Sequence, residues 1–180
     1  MYRSVRFNRG TLVTAAMGLL AGSLYWYSEA PQWQTLVLFT NLYALALYDW
    51  HHFRLPNLLT ATFFLSAALF VFVSPGLNIT PHIVGAVIGL VFFPILNLFY
   101  KRLRGHDGIG MGDAKLLACI GLWLGWQSLP HVLLVASLTG LTYAAVCWAS
   151  QITISKTTKL PFGTFLCLGT WLVWLFGDQI

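Results

Sequence analysis

Few residues in this sequence are suited to acid–base chemistry. Its carboxylates are Glu29, Asp49, Asp107, Asp113 and Asp178. Asp49 ends an uninterrupted apolar run, Leu42-Tyr43-Ala44-Leu45-Ala46-Leu47-Tyr48. Asp113 opens another, followed by Ala114-Lys115-Leu116-Leu117-Ala118. A charged side chain placed centrally in a bilayer costs about 2.5–3.5 kcal/mol on insertion scales, and less near the interface. Taken singly, each aspartate has an ordinary explanation. Asp113 suits a helix start, where it caps free N–H groups and faces the dipole. Asp49 suits an interfacial bond to a nearby Arg or His. As a pair on two different helices they offer more. Two carboxylates converging in a wet pocket cannot both ionise, so one is base and the other acid at the same pH. Activating water against a peptide carbonyl needs that combination.

The approach to Asp113 is rich in glycine: Gly105, Gly108, Gly110 and Gly112, next to Lys101, Arg102 and Arg104. Glycine permits positive φ and close backbone approach. The loop lacks the spacing and the Lys-Ser/Thr end of a phosphate-binding loop, and it ends in an aspartate that would repel phosphate. A hinge that lets an extended substrate lie against Asp113 fits it better. His51 and His52 follow Asp49, and His106 precedes Asp107. No second ligand set at a fixed spacing accompanies them, so no metal site is expected. His82 and His131 are expected at membrane interfaces. Cys119, Cys147 and Cys167 lie far apart in apolar runs without a CxxC pair, which predicts packing residues rather than a zinc site.

The elements that must position these groups follow from composition. The chain is 58% apolar, 16% aromatic and only 8% charged, against about 25% charged in a soluble domain. That excludes an ordinary cytosolic domain, a disordered chain and a secreted disulfide scaffold. It also argues against nucleic-acid binding despite the net charge of +5. About seven runs are apolar enough to span a bilayer, roughly 11–27, 32–49, 58–73, 81–100, 114–128, 131–150 and 161–177. The first is read as a retained helix rather than a cleaved signal, because another span follows it at once. Gly85 and Gly89 form a small-xxx-small pair suited to helix packing.

Numbering the loops alternately puts all ten basic residues on one side: Arg3, Arg6, Arg9, Arg54, Lys101, Arg102, Arg104, Lys115, Lys156 and Lys159. The positive-inside rule then makes the N-terminus cytoplasmic and the C-terminus external. Asp49, Asp107 and Asp113 share the cytoplasmic face. The predicted fold is an all-α polytopic membrane bundle of one domain, 1–180. Residues 1–10 form a basic cytoplasmic segment and residues 101–113 a glycine-rich cytoplasmic loop. The eight tryptophans are expected as interfacial anchors.

Three blocks carry a resemblance. Gly110-Met111-Gly112-Asp113 is the GxGD motif of membrane aspartyl proteases. The stretch Gly108 to Trp126, GIGMGDAKLLACIGLWLGW, resembles the type IV prepilin peptidases. So do Tyr48 to Thr60, YDWHHFRLPNLLT, and Leu160-Pro161-Phe162-Gly163 before the last helix. The resemblance implies cleavage of the basic leader of type IV prepilins or pseudopilins at the cytoplasmic face of a bacterial inner membrane, a periplasmic C-terminus, and no metal or other cofactor. It implies that Asp49 and Asp113 are the catalytic pair, with the choice of acid and base left open. The larger bifunctional members carry an N-terminal segment with two CxxC pairs, linked to N-methylation. Here about ten cysteine-free residues precede the first span, so peptidase activity without methyl transfer is expected.

Supporting roles are open for Asp107, which suits substrate contact or a solvated loop, and for Lys115, which suits headgroup contact or electrostatic tuning of the pair. Pro56 and Asn57 are expected to start a helix, and Pro161 and Gly163 to support the site. Two other readings compete. One is a GxGD protease with a different membrane substrate, as in the signal-peptide-peptidase and presenilin group. The other is a small proton-coupled transporter, which should show internal repeats and carboxylates near the midplane. Neither feature is evident in the sequence. Oligomeric state is not legible in it.

Overall fold

The computed structural model describes residues 32–105, 110–149 and 161–177. Among the described residues every regular element is helical: α1 Gln32–His52, α2 Asn57–Val73, α3 Ile79–Arg104, α4 Met111–Leu124, a 3-10 turn Trp126–Ser128, α5 Leu129–Ala149 and α6 Phe162–Phe176. Two segments, Ile79–Arg104 and Trp126–Cys147, are long and apolar enough to cross a membrane.

Local chemistry sets the helix ends. Helix α1 stops where Phe53 takes a positive φ of 52°. The Leu55-Pro56 pair then forbids a helical continuation, because the residue before a proline is pushed to extended backbone. Pro56, at ψ 138°, precedes the first residue of α2, Asn57. Asn78 starts α3 by accepting a hydrogen bond from the Thr80 N–H at 3.1 Å, an ordinary N-cap. Gly105 ends that helix in the left-handed region.

The helices run up and down, so alternate connections meet at the same end. The end of α1 and the starts of α2, α4 and α6 gather at one end, together with the end of α3. Contacts fix this arrangement. Lys115 of α4 reaches Asn57 of α2, and Thr164 of α6 reaches Asp49 of α1. Among the described basic residues, Arg54, Lys101, Arg102, Arg104 and Lys115 all stand at this end. At the opposite end the ring of Phe70 stacks on Trp123 at 4.6 Å, and Trp174 packs edge-on to both.

Helix α4 is the central rod: Ala114 and every residue from Leu116 to Trp123 are buried. Helix α3 lies directly against it. A Cβ added at Gly85 would run into the Gly121 carbonyl, and one at Gly89 into the Leu117 carbonyl. The two backbones therefore touch, as small-residue pairs allow. The outer side of α3 behaves oppositely. Ile83, Val87, Leu90, Ile95 and Leu98 are exposed.

Several expectations need correction. The fifth apolar run, 114–128, is helical from Met111 to Leu124. Gly125, with φ 83° and ψ 167°, breaks it before the 3-10 turn. The expected loop 101–113 is shorter, because Lys101, Arg102 and Arg104 form the last turn of α3. Cations there complement the negative end of the helix dipole. His82, in the first turn of α3, is buried against protein, and its Nδ1 donates to the Leu122 carbonyl at 2.9 Å. Trp123 and Trp171 are core residues, not anchors, whereas Trp33 and Trp126 are exposed. Cys119, Cys147 and Cys167 are free and buried. The first run, the segment 1–10, Glu29, His106, Asp107, Gly108, Lys156, Lys159 and Asp178 lie outside the described residues.

Candidate active site

Asp49 sits in the last turn of α1 and is only 4% exposed. A carboxylate at that depth needs donors, and the first turn of α6 supplies them. A helix start leaves its first N–H groups without partners inside the helix. Pro161, the residue preceding α6, provides no side-chain cap. Asp49 provides one from another helix: its Oδ2 accepts from the Thr164 N–H at 2.9 Å. That N–H is shared with the Pro161 carbonyl at 3.2 Å. The Thr164 hydroxyl is also shared, between Asp49 Oδ2 at 3.3 Å and the Ala46 carbonyl at 3.2 Å. One buried threonine thus joins the end of α1 to the start of α6.

Glycine makes the approach possible. A Cβ added at Gly163 would stand 2.9 Å from Asp49 Oδ2 and 3.2 Å from Leu55 Cδ1. A Cβ added at Gly112 would stand 3.2 Å from Leu55 Cβ. Leu55 is therefore wedged between the first turns of α4 and α6. The reason for Gly110 is not positive φ, since its φ is −72°. Only Gly105, among the described glycines of this loop, uses that region.

Asp113 is the third residue of α4, half-buried, with its N–H donating to the Gly110 carbonyl at 3.2 Å. Its carboxyl lies in the electrostatic field of Asp49. The buried Cys167 thiol of α6 feels both. The two aspartates, 64 positions apart (113 − 49) in the sequence, thus come to the same end of the bundle. Lys115 does not face them directly: its Nζ donates to Asn57 Oδ1 at 2.8 Å. Met111 is exposed. His51 and His52 are exposed, and the His52 ring stacks on Tyr48 at 4.2 Å. Among the described residues no group of three or more His, Cys, Asp and Glu could hold a metal ion.

A cleft of about 570 Å³ runs between α2 and α3 over α4. Asn57 and Lys115 stand at its end nearest Asp113, and Thr60, Phe64, Val87 and Leu90 are among its walls. Among the described residues Phe64, Leu65, Val87 and Leu90 are also exposed on the flank, where the cleft opens sideways. The arrangement offers two carboxyls from separate helices at one end of the bundle, and a mostly apolar cleft that neither of them lines. Thr164 and Leu55 escaped the reading of the sequence. The available signal was their adjacency to the two Leu-Pro pairs, at 55–56 and 160–161.

Comparison with known proteins follows the same residues. The model of the type IV leader peptidase family matches residues 36–145. Prepilin leader peptidase/N-methyltransferase of Aeromonas hydrophila is 33% identical over 180 residues, 98% of this chain and 60% of the relative. Proteins of the same name from Dickeya chrysanthemi and Pseudomonas aeruginosa are 35% and 32% identical, over 87% and 96% of this chain. The chain spans 55–60% of the length of these relatives. No solved structure matches it.

Proposed function

The chain belongs to the type IV leader peptidase family, and from that premise we propose that it is a membrane aspartyl endopeptidase that removes the basic leader of type IV prepilins or pseudopilins. Asp49 and Asp113 are the catalytic pair. One takes a proton from water as its oxygen attacks the peptide carbonyl, and the other supplies a proton to the reacting oxygen or nitrogen. Positioned acid–base groups contribute about 10²–10⁴-fold each in such reactions. The observation that carries the reading is the placement of two aspartates from separate helices at one end of the bundle, each inside a block resembling this family.

The bundle sits in the bacterial inner membrane as a multi-pass protein of one domain. Lipid is the natural partner for the exposed apolar flank of α3, since a large exposed apolar surface would be unfavourable in water. The basic residues at the Asp49 end put that end in the cytoplasm, where a basic leader would arrive. In this orientation water reaches the pair from the cytoplasm, while the apolar segment after the scissile bond stays in the bilayer.

The test is leader cleavage in membranes, with a prepilin from the same organism as substrate. Asp49→Asn and Asp113→Asn keep size but cannot exchange the proton. Each is expected to abolish the mobility shift of the pilin while inserting as well as the wild type. Cleavage at a comparable rate by either variant removes that residue from the catalytic pair. A wild-type chain that cleaves no candidate prepilin moves a different membrane substrate to the front. The mass of the new N-terminus reads whether methyl transfer accompanies cleavage.

A further inference from the structure

We infer that Thr164 is the positioning residue that holds Asp49 as the general base, which leaves Asp113 as the acid. The inference deepens the proposed peptidase reading and rests on it. It starts from an asymmetry in hydrogen bonding. Both carboxyls lie beside a helix start, Asp49 against α6 and Asp113 within α4, so dipoles alone do not separate them. Direct donors do. Asp49 Oδ2 accepts from the Thr164 N–H at 2.9 Å and faces the Thr164 hydroxyl at 3.3 Å. Among the described residues Asp113 has no such donor. Hydrogen bonds donated to a carboxylate favour its charged form. Asp113 lies in the field of the Asp49 charge, so the single proton of the pair is assigned to Asp113, the carboxyl with fewer donors among the described residues.

Chemical roles follow from that placement. Asp49 takes one proton from water as the water oxygen bonds to the carbonyl carbon. Asp113 gives its proton to the carbonyl oxygen, forming a neutral diol. Collapse breaks the C–N bond: the proton on Asp49 passes to the departing nitrogen, and the diol returns one proton to Asp113. One water is consumed and the pair is restored.

Geometry makes the threonine specific. Its hydroxyl also reaches the Ala46 carbonyl at 3.2 Å, one turn before Asp49. It therefore fixes the last turn of α1 as well as the carboxylate. A serine keeps the hydroxyl, valine keeps the shape without it, and alanine keeps neither. Among the described residues the titratable groups that feel the Asp49 charge are Asp113 on α4 and Cys167 on α6. Neither changes in these variants.

The experiment compares the wild type with Thr164→Val, Thr164→Ala, Thr164→Ser and Asp49→Asn, all inserted in membranes, by leader cleavage over a range of pH. Losing one hydrogen bond to a charged group is expected to lower kcat about 10–100-fold, with KM within about threefold, in both Thr164→Val and Thr164→Ala. Thr164→Ser is expected to stay within a few-fold of wild type. With fewer donors the base ionises less readily, so the acidic limb of the rate–pH profile moves up by about one pH unit. A merely structural loss would lower activity without moving that limb. Movement of the basic limb instead makes Asp49 the acid and overturns the assignment. Wild-type kcat and pH limbs in both hydroxyl-deleted variants, with Asp49→Asn inactive, overturn the role of Thr164 alone. An active Asp49→Asn removes the catalytic pair itself.

Discussion

A single methyl group at Gly163 would place a carbon 2.9 Å from Asp49 Oδ2. Opposite it lies a carboxylate already held by Thr164, so neither side yields freely. Gly163→Ala is expected to push the carboxylate off its donors and to lower leader cleavage at least tenfold, with normal insertion, as catalytic groups displaced by about 1 Å commonly do. A kinetic comparison with wild type in membranes checks it, and unchanged kcat would show that the close contact is irrelevant to chemistry. At this scale the sequence was partly legible. Asp49 and Asp113 stand out because charges in apolar runs are rare, and Gly163 because it follows a Leu-Pro pair. Thr164 does not stand out, because its partner lies 115 positions away and threonine is common in helices. Leu55 is one apolar residue among many until its contacts with Gly112 and Gly163 are seen.

Helices α3 and α4 illustrate what an apolar run conceals. Both read as spans, yet α4 is sheathed by protein while α3 turns most of its surface outward. Hydropathy does not distinguish a residue facing lipid from one facing protein, since both environments are apolar. Glycine gave the better clue, and Gly85 and Gly89 do mark the packing face. Their partner Gly121 had no such signal. A Cβ at Gly121 would collide with the Gly85 carbonyl, and backbone cannot move aside as a side chain can. Gly121→Ala is therefore expected to force the two helices apart and to lower stability by roughly 1–3 kcal/mol. Thermal unfolding of the purified protein in detergent measures this, and an unchanged midpoint would contradict the backbone contact. Because Asp113 rides on α4, activity should fall with stability. The ends of α4 were misjudged for a related reason: the run stays apolar through Trp126, and only the conformation of Gly125 stops the helix.

For the molecule as a whole, the alternation of the helices gathers the aspartates, the described basic residues and the starts of α2, α4 and α6 at one end. Loop charges made that gathering legible, because they must alternate with the spans. The cleft left open between α2 and α3 among the described residues was not legible, since it depends on how the helices pack around α4. Its consequence is kinetic. A substrate that enters through a side wall while anchored in the same bilayer is encountered in two dimensions. Its effective concentration is then a mole fraction among lipids, not a number of molecules per litre. With enzyme and prepilin in the same vesicles, tenfold more lipid is expected to slow cleavage about tenfold when substrate is below saturation, because each collision is diluted by membrane area. Tenfold more buffer is expected to leave the rate unchanged. A rate that follows the buffer volume would mean that substrate arrives from water at the bundle end and that the side opening is not its door.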